Sequence, residues 1–307
     1  MRIVVVGAGG VGGYFGGRLA AAGADVTFVA RGAHLAAMRR DGLRIESSQG
    51  DLTVAPVQAV GTVDDAGPAD VVIVAVKLWD TAAVAPALRP LAEQGAGILS
   101  LQNGVQKDDE LRRHVPAESV MGGVCFIAAS IARPGVIVHH GAMQRVVFGE
   151  YGGARSARAE ALLAACAAAG VEAEISSAIE REIWEKFVFL VGLSGTTAMA
   201  QTSIGPIRED PVLRATLHDA MGEVVAVGRA SGVPLPPDFA HDRLVFCDTL
   251  PPTMSSSMAG DLERGTRLEL PWLSGAVVDL GASLGVPTPV NASIVEALAP
   301  VVDGTRP

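Results

Sequence analysis

The first half of the chain alternates between short runs of valine and isoleucine and segments in which apolar residues recur with helical spacing. Uninterrupted apolar runs are typical of strands that are buried on both faces of a parallel sheet. The predicted strands are Ile3–Val6, Asp25–Ala30, Asp70–Val76, Ile98–Leu101, Met121–Ala128, Gly135–His139, Arg145–Gly149 and Val171–Ile175. The predicted helices are Tyr14–Ala22, Ala33–Asp41 and Ala157–Ala169. Between them, Leu43–Ile45 and Asp51–Ala55 are predicted to form a hairpin-like segment outside the alternating pattern.

After residue 176 only helical spacing remains. The predicted helices are Ala178–Ala200, Pro211–Ser231, Asp238–Thr249, Leu270–Leu284 and Ala292–Ala299, and a serine-rich loop is predicted within 251–275. A chain of 307 residues is long enough for two domains. We therefore expect an α/β domain at 1–175, followed by an all-α C-terminal domain at 176–307.

A glycine-rich turn separates the first strand from the first helix. Gly7, Gly9 and Gly12 fit the pattern G-x-G-x-x-G, with Ala8, Gly10 and Val11 between them. In the order strand, turn, helix, this pattern predicts a site for a dinucleotide diphosphate at the helix N-terminus. The α/β domain is thus predicted to be of the Rossmann type, with residues 7–12 binding the cofactor. A purely structural turn is the alternative.

The residue after the second predicted strand bears on which dinucleotide binds. Enzymes that use NAD place a carboxylate near this point to accept a hydrogen bond from the ribose 2′-hydroxyl. This chain has Arg31 there. A guanidinium pairs well with a 2′-phosphate, so the sequence predicts NADP(H). The alternative is that Arg31 is a solvated turn residue.

Polar residues also follow two later strands. Lys77 comes after the run DVVIVAV, and Asn103 follows GILSL within the sequence Gln102-Asn103-Gly104. Because ligands of open parallel sheets bind beyond the carboxyl ends of the strands, both side chains are candidate cofactor or substrate contacts. The pair Asn103-Gly104 is also a common turn dipeptide, which is the alternative interpretation.

The helical half contains a candidate proton donor. Lys186 lies at the edge of the fully apolar helical run Phe187–Leu193, and Leu190 and Ser194 follow it on the same helix face. A partly desolvated lysine beside a bound carbonyl is a good proton donor. Alternatively, Lys186 extends to solvent and pairs with Glu182 or Glu185.

A second polar cluster follows in the serine-rich segment. Ser257 lies in a run of three serines, and Asp261 and Glu269 are carboxylates in the same stretch. Glu269 stands between two leucines, where a charge needs a partner, and Lys186 could be that partner. The alternative is a solvated glutamate at a helix N-terminus.

Composition narrows the classes of function. The net charge of −9 argues against a nucleic-acid partner, and no apolar run reaches the ~18 residues of a membrane span. The N-terminal apolar run is the first strand rather than a secretion signal. Three scattered cysteines and the pair His139-His140 indicate neither disulfides nor a metal site, which suits a reducing cytoplasm. The oligomeric state stays open, with a homodimer among the options.

These segments together resemble the ketopantoate reductase family over essentially the whole chain. The matching stretches are GAGGVGGYFG at 7–16, Arg31, Lys77, LQNG at 101–104, WEK at 184–186, SSM at 256–258, Asp261, Glu269 and GVPTPVN at 285–291. That family reduces ketopantoate, a 2-oxo acid, to (R)-pantoate with NADPH in pantothenate and coenzyme A synthesis.

The resemblance implies a role for each matching residue. Lys186 would donate a proton to the keto oxygen, and Glu269 would position that lysine and bind substrate and cofactor. Ser257 would bind the substrate carboxylate, with Ser194 and Asp261 as further substrate contacts. Asn103 would lie where cofactor and substrate meet, and Arg31 and Lys77 would contact NADP. No metal is implied.

The chain also departs from the family pattern. Members of the family carry asparagines where this chain has Leu190 and Ser194, and an acidic residue where it has Pro271. A leucine cannot hydrogen-bond a substrate hydroxyl, so the preferred substrate is predicted to shift. Two alternatives therefore stay open: an NADPH-dependent reductase of another 2-oxo acid or a related carbonyl or imine, and a non-catalytic NADPH-binding sensor.

Overall fold

The computed structural model describes residues 1–305. Contacts divide the chain into an N-terminal unit, residues 1–103 and 107–182, and a C-terminal unit, residues 104–106 and 183 onward. The division falls inside a long helix. The first turn of that helix packs on the sheet, since a Cβ atom built on Gly122 would lie 2.8 Å from the Ile179 side chain.

One sheet of ten strands forms the centre of the N-terminal unit. The strands are β1 (Arg2–Val6), β2 (Asp25–Val29), β3 (Leu43–Ser47), β4 (Leu52–Val54), β5 (Gln58–Val60), β6 (Val71–Val74), β7 (Gly97–Ser100), β8 (Val120–Arg133), β9 (Val136–Glu150) and β10 (Glu172–Ile175). Their order is β4-β3-β9-β8-β7-β6-β1-β2-β5, with β10 also paired to β9. Only the pairs β3–β4 and β8–β9 are antiparallel, so the predicted mostly parallel sheet is confirmed.

Apolar layers cover both faces of this sheet. Along β1, Ile3 and Val5 join one buried cluster, whereas Val4 and Val6 join another. Burial on both faces explains why the strand sequence is continuously apolar. The helices of this unit are α1 (Gly10–Ala21), α2 (Gly32–Asp41), α3 (Thr81–Val84), α4 (Arg89–Glu93), α5 (Lys107–Arg112) and α6 (Ala157–Ala168).

The C-terminal unit is helical, as the sequence predicts. Its helices are α7 (Ile179–Ala200), which begins in the N-terminal unit, α8 (Ile204–Glu209), α9 (Pro211–Ala230), α10 (Phe239–Thr249), α11 (Ser257–Glu263), α12 (Ser274–Leu284) and α13 (Pro289–Leu298). A single core holds buried residues of α7, including Phe187 and Val188, together with Met221 of α9 and Ile294 of α13. Within residues 1–305, no helix is long and apolar enough to cross a membrane.

The predicted strands Gly135–His139 and Arg145–Gly149 are wrong as separate elements, because both belong to the long strand β9. The intervening residues include Gly141 at φ +79°, and the pairing of β8 with β9 shifts register between Ile127 and Ala128. This irregularity breaks the alternation of apolar and polar residues on which the sequence prediction depends.

The C-terminal half departs from the prediction at two places. The predicted serine-rich loop contains helix α11, because the Ser256 hydroxyl accepts a hydrogen bond from the Ala259 N–H (3.0 Å) and caps the helix. The predicted helix Leu270–Leu284 is divided, with a short 3₁₀ turn at Leu270–Trp272 before α12 begins at Ser274. Pro271 suits the first turn of a helix but not its interior, which favours the interruption.

Helix α1 packs unusually close to the sheet because glycines line its inner face. A Cβ atom on Gly12 would lie 2.1 Å from the Gly7 carbonyl oxygen, and one on Gly16 would lie 2.6 Å from the Phe28 ring. Such distances are far shorter than a real Cβ contact, so the backbone itself would have to move.

The substitution Gly12→Ala is expected to destabilise the N-terminal unit by more than about 2 kcal/mol, because the new methyl group would overlap backbone atoms. Gly222→Ala in α9 is the matched control, since no atom of residues 1–305 outside the helix backbone would lie within 4 Å of the added methyl group. Alanine there should leave stability unchanged or raise it by about 0.5–1 kcal/mol. Thermal unfolding of both variants measures this, and equal effects would contradict the packing argument.

Candidate active site

The glycine loop after β1 is shaped by backbone contacts. Gly7 adopts φ +99°, its N–H donates to the Val29 carbonyl (3.0 Å), and a Cβ atom there would lie 2.7 Å from the Val76 nitrogen. At Gly9 the opposite holds, since no atom of the described residues would lie within 4 Å of an added Cβ. The backbone at Gly9 is therefore open to close approach by a ligand.

The N-terminus of α1 provides donors at this opening. Gly9 is the N-cap residue, and among residues 1–305 no side chain caps the helix there. On the other side of the loop, a Cβ atom on Gly10 would lie 2.1 Å from the Ala129 carbonyl oxygen, so β8 backs the loop. Free N–H groups at an uncapped helix N-terminus, with open space at Gly9, fit a dinucleotide diphosphate.

His34 also forms a hydrogen bond with the glycine loop. The sequence pattern does not indicate this residue as part of the site. Its Nδ1 accepts a hydrogen bond from the Gly135 N–H (3.0 Å), and Nε2 lies 2.9 Å from the Ala8 carbonyl oxygen. Because a backbone N–H can only donate, Nδ1 carries no proton and Nε2 donates to Ala8. The neutral imidazole thus joins the glycine loop to the turn between β8 and β9, and burial lowers its pKa.

Arg31 is the second residue after β2, and its guanidinium is not simply solvated. Its Nη2 lies 2.7 Å from Asp80 Oδ2 in an ion pair. Lys77 is exposed after β6, with Nζ 5.5 Å from the centre of the Trp79 ring. Two cations therefore lie beyond the sheet edge, and sequence spacing did not reveal the carboxylate that pairs with Arg31.

Asn103 follows a buried glutamine that fixes the neighbouring strand ends. Gln102 Nε2 donates to the Val76 carbonyl (2.9 Å) and to the Thr81 hydroxyl (2.7 Å), and its Oε1 accepts from the Ser100 hydroxyl (3.0 Å). The segments that carry Lys77 and Asn103 are thereby tied together. The sequence pattern identifies Gln102 only as a neighbour of Asn103 and does not predict these hydrogen bonds.

A buried ion pair lies just after the Asn103 turn. Lys107 Nζ lies 2.7 Å from Asp108 Oδ2 and donates to the Ser100 carbonyl (3.3 Å), and the Tyr151 hydroxyl donates to the same carboxylate oxygen (2.7 Å). Lys107 and Asp108 are each 2% exposed. Burial raises the pKa of Tyr151, which keeps the phenol protonated as the donor. This cluster anchors the start of α5 to the end of β7.

Helix α7 places three predicted positions on one face. Lys186 and Leu190 are half-buried, and Ser194 is fully buried. Residues four apart on a helix share a face, so the predicted alignment of these side chains follows directly from α7. Within residues 1–305, the Ser194 hydroxyl has no hydrogen-bond partner, which is unusual for a buried polar group.

A hydrogen bond between hydroxyls connects α7 to α11. Thr197 Oγ1 lies 2.8 Å from Ser256 Oγ, and both side chains are buried. Ser256 caps α11, so Ser257 occupies its first turn and is exposed. The bond between Thr197 and Ser256 therefore sets the position of Ser257 relative to α7.

The two predicted carboxylates of this unit have different surroundings. Asp261 in α11 pairs with Arg264 (2.7 Å) and lies within reach of the Thr266 hydroxyl (3.3 Å). Glu269 is only 7% exposed, and its neighbours Leu268 and Leu270 join the same core as Phe187, the residue after Lys186. Lys186 and Glu269 both interact with other groups of the protein.

The predicted site residues thus fall into two sets. Residues 7–12, Arg31, Lys77 and Asn103 follow β1, β2, β6 and β7 at the carboxyl edge of one sheet. The second set belongs to the C-terminal unit and comprises Lys186, Ser194, Ser257, Asp261 and Glu269. His34 and Asp80 join the first set only through the fold, because their partners are far away in sequence.

Family comparison agrees with this arrangement. The family described as "Ketopantoate reductase PanE/ApbA" matches residues 3–153, and its C-terminal counterpart matches residues 178–302. Among individual proteins, the chain is 35% identical to the uncharacterized oxidoreductase YkpB of Bacillus subtilis, over 96% of each chain. It is 34% identical to a 2-dehydropantoate 2-reductase of Halobacterium salinarum, over 96% of this chain and 97% of that one.

Solved structures show the same fold. The PanE/ApbA family ketopantoate reductase from Ralstonia eutropha superposes with a TM-score of 0.89 at 35% identity, covering 99% of both chains. The ternary structure of a D-mandelate dehydrogenase with NADH and anilino(oxo)acetate has the same TM-score at 20% identity, covering 99% of this chain and 98% of that one. The second likeness concerns the fold alone.

The chain belongs to the ketopantoate reductase family. It is an oxidoreductase of that type, with a nicotinamide cofactor and a small-molecule substrate. The glycine loop, the uncapped N-terminus of α1 and the opening at Gly9 are the parts of this structure that suit such a cofactor.

The stability of the protein is expected to fall below about pH 6.5, the ordinary imidazole pKa, partly through His34. Burial lowers the pKa of His34 in the folded state, so the unfolded chain binds the proton more readily. The contribution of neutral His34 to the free energy of unfolding is fully present above the ordinary imidazole pKa. It is lost as the pH falls from there through the lower folded-state pKa. Thermal midpoints from about pH 8 to about pH 5 should show a weaker acid loss in His34→Gln.

Exposed His218, beside Asp219, provides the matched control as His218→Gln. The acid loss of stability should persist in that variant. If His34→Gln has the same acid dependence as the wild type, the neutral bridge does not contribute in this way.

Proposed function

We propose that this protein is a 2-dehydropantoate 2-reductase, which reduces ketopantoate to (R)-pantoate with NADPH in pantothenate synthesis. The observation that carries the proposal is the burial of Glu269. The leucines on either side of it belong to the same apolar core as Phe187, which follows Lys186 in the sequence. A buried carboxylate is costly without a cationic or hydrogen-bonding partner, and Lys186 is a suitable one. Relatives named 2-dehydropantoate 2-reductase support the same activity.

In this proposal, Lys186 is the proton donor. When bound, the nicotinamide supplies a hydride to the ketone carbon of the substrate. Negative charge then develops on the keto oxygen, and the Lys186 ammonium stabilises it and transfers a proton to it. Glu269 holds Lys186 in place, because a buried carboxylate favours the charged form of a neighbouring ammonium.

The substrate carboxylate is assigned to Ser257. Its exposed position in the first turn of α11 offers a hydroxyl that can donate a hydrogen bond to a carboxylate. Asp261 is assigned to the substrate side of α11, and Asn103 to the nicotinamide end of the cofactor. For the 2′-phosphate of NADPH, the proposed contacts are Arg31 and Lys77, since both are cations beyond the same sheet edge.

Lys186→Ala is expected to lower kcat for ketopantoate about 10²–10⁴-fold, because the transition state loses its acid. Glu269→Gln should lower kcat by a smaller factor and change its pH profile. The rate of NADPH oxidation with ketopantoate measures both effects. Exposed Arg181 on the same helix provides the control Arg181→Gln, which should retain full activity.

Undiminished turnover in Lys186→Ala would rule out this mechanism. Binding of NADPH by the wild type without turnover of any keto acid would instead favour a cofactor sensor.

A second candidate function is the reduction of a more apolar 2-oxo acid. Leu190 is half-buried on the face of Lys186, and the buried Ser194 hydroxyl has no partner within the described residues. Leu190 offers nothing to the hydroxyl that distinguishes ketopantoate from 3,3-dimethyl-2-oxobutanoate. A site built to bind a hydroxyl rejects the analogue that lacks it by about 10⁴–10⁵-fold, whereas an apolar site discriminates far less.

The apolar candidate predicts that the wild type favours ketopantoate over 3,3-dimethyl-2-oxobutanoate by less than about 10²-fold in kcat/KM. Leu190→Asn should raise that ratio at least about tenfold, because the amide can bond the hydroxyl. Val212→Asn, at a position 73% exposed, is the control for introducing an asparagine. A wild-type ratio near 10⁴ would refute the apolar candidate and support ketopantoate itself.

A further inference from the structure

The ion pair between Arg31 and Asp80 joins two strand ends on either side of the glycine loop. Arg31 follows β2 and Asp80 comes six residues after β6, and β1 lies between these strands in the sheet. Arg31 Nη2 lies 2.7 Å from Asp80 Oδ2, with the arginine side chain 71% exposed and the aspartate 25% exposed. The carboxylate is thus the less accessible member of the pair.

The Asp80 side chain does not cap the helix that follows it. It immediately precedes α3, where aspartate commonly caps the first N–H groups, yet no capping hydrogen bond forms among residues 1–305. Its backbone is already helical, at φ −91° and ψ −9°, rather than extended as in a typical cap. The side chain is instead directed to Arg31.

The Asp80 carboxylate affects whether a ribose with a 2′-phosphate or one with a 2′-hydroxyl binds more favourably at this sheet edge. The Arg31 guanidinium would present a positive charge to a 2′-phosphate, and pairing with Asp80 neutralises that charge. A phosphate dianion must share the guanidinium with the carboxylate or displace it, against repulsion from the like charge. A 2′-hydroxyl has no such conflict, because it can donate a hydrogen bond to the carboxylate. At Gly32, next to Arg31, no atom of the described residues would lie within 4 Å of an added Cβ, so there is room for a ribose.

We propose that Asp80 limits the preference for 2′-phosphorylated dinucleotides by competing for Arg31, so that the protein also binds NADH. This proposal rests on the cofactor site of the proposed function, but not on ketopantoate as the substrate. Asp80 acts through Arg31 and is therefore a specificity-determining residue rather than a catalytic one.

The test is the equilibrium binding of NADPH and of NADH, followed by cofactor fluorescence, in the wild type and Asp80→Asn. The ratio of the NADH Kd to the NADPH Kd should rise at least about fivefold in Asp80→Asn, as expected for removal of one exposed like charge. In the background of Arg31→Ala, the further change Asp80→Asn should change the ratio by a clearly smaller factor, because direct repulsion then remains but competition for Arg31 does not. The effect in the single variant should shrink at high salt.

Asp70 provides a matched control, since it pairs with Arg2 (2.6 Å) at the opposite end of β6 and β1. Asp70→Asn removes the same charge from the same kind of pair, and the Kd ratio should not change.

An unchanged ratio in Asp80→Asn, or weaker NADPH binding, would overturn the proposal and would show that Asp80 instead supports Arg31. Binding is measured without substrate, so failure to reduce ketopantoate would count against the proposed function alone. Binding of neither dinucleotide would overturn both.

Discussion

Backbone contact at the glycine loop is the constraint on which the N-terminal unit depends. The loop is confined by the segment after β6 at Gly7, by β8 at Gly10 and by its own first turn at Gly12, and none of these positions has room for a Cβ atom. Only at Gly9 is the loop open. The packing that fixes the direction of α1 therefore also creates the place where a diphosphate can approach the helix N-terminus.

The C-terminal unit contains a different notable feature, a buried glutamate next to its apolar core. Glu269 is 7% exposed, and the leucines on either side of it, Leu268 and Leu270, belong to the main core. In the proposed mechanism, this buried carboxylate is the group that positions Lys186. The bond between Thr197 and Ser256 similarly places Ser257 through α7 itself.

Local patterns in the sequence predicted most of the secondary structure. The continuous valine and isoleucine runs predicted β1, β6 and β7, because strands buried on both faces have no polar side to reveal. The same reasoning failed at β9, where an irregular register interrupts alternation, and at α11, where a capped helix of seven residues has too few turns to establish a period. Pro271 divided a helix that apolar spacing alone made continuous.

The sequence by itself determined the glycine loop, the positions of Arg31 and Lys77 after their strands, and the shared helix face of Lys186, Leu190 and Ser194. These features follow from short-range geometry, which a few consecutive residues specify. Only the tertiary structure decided that Asp80, 49 residues away, neutralises Arg31, and that His34 joins Ala8 to Gly135, 101 residues later. Electrostatic and hydrogen-bonding partners are selected by distance in space, which the order of residues in a chain does not encode locally.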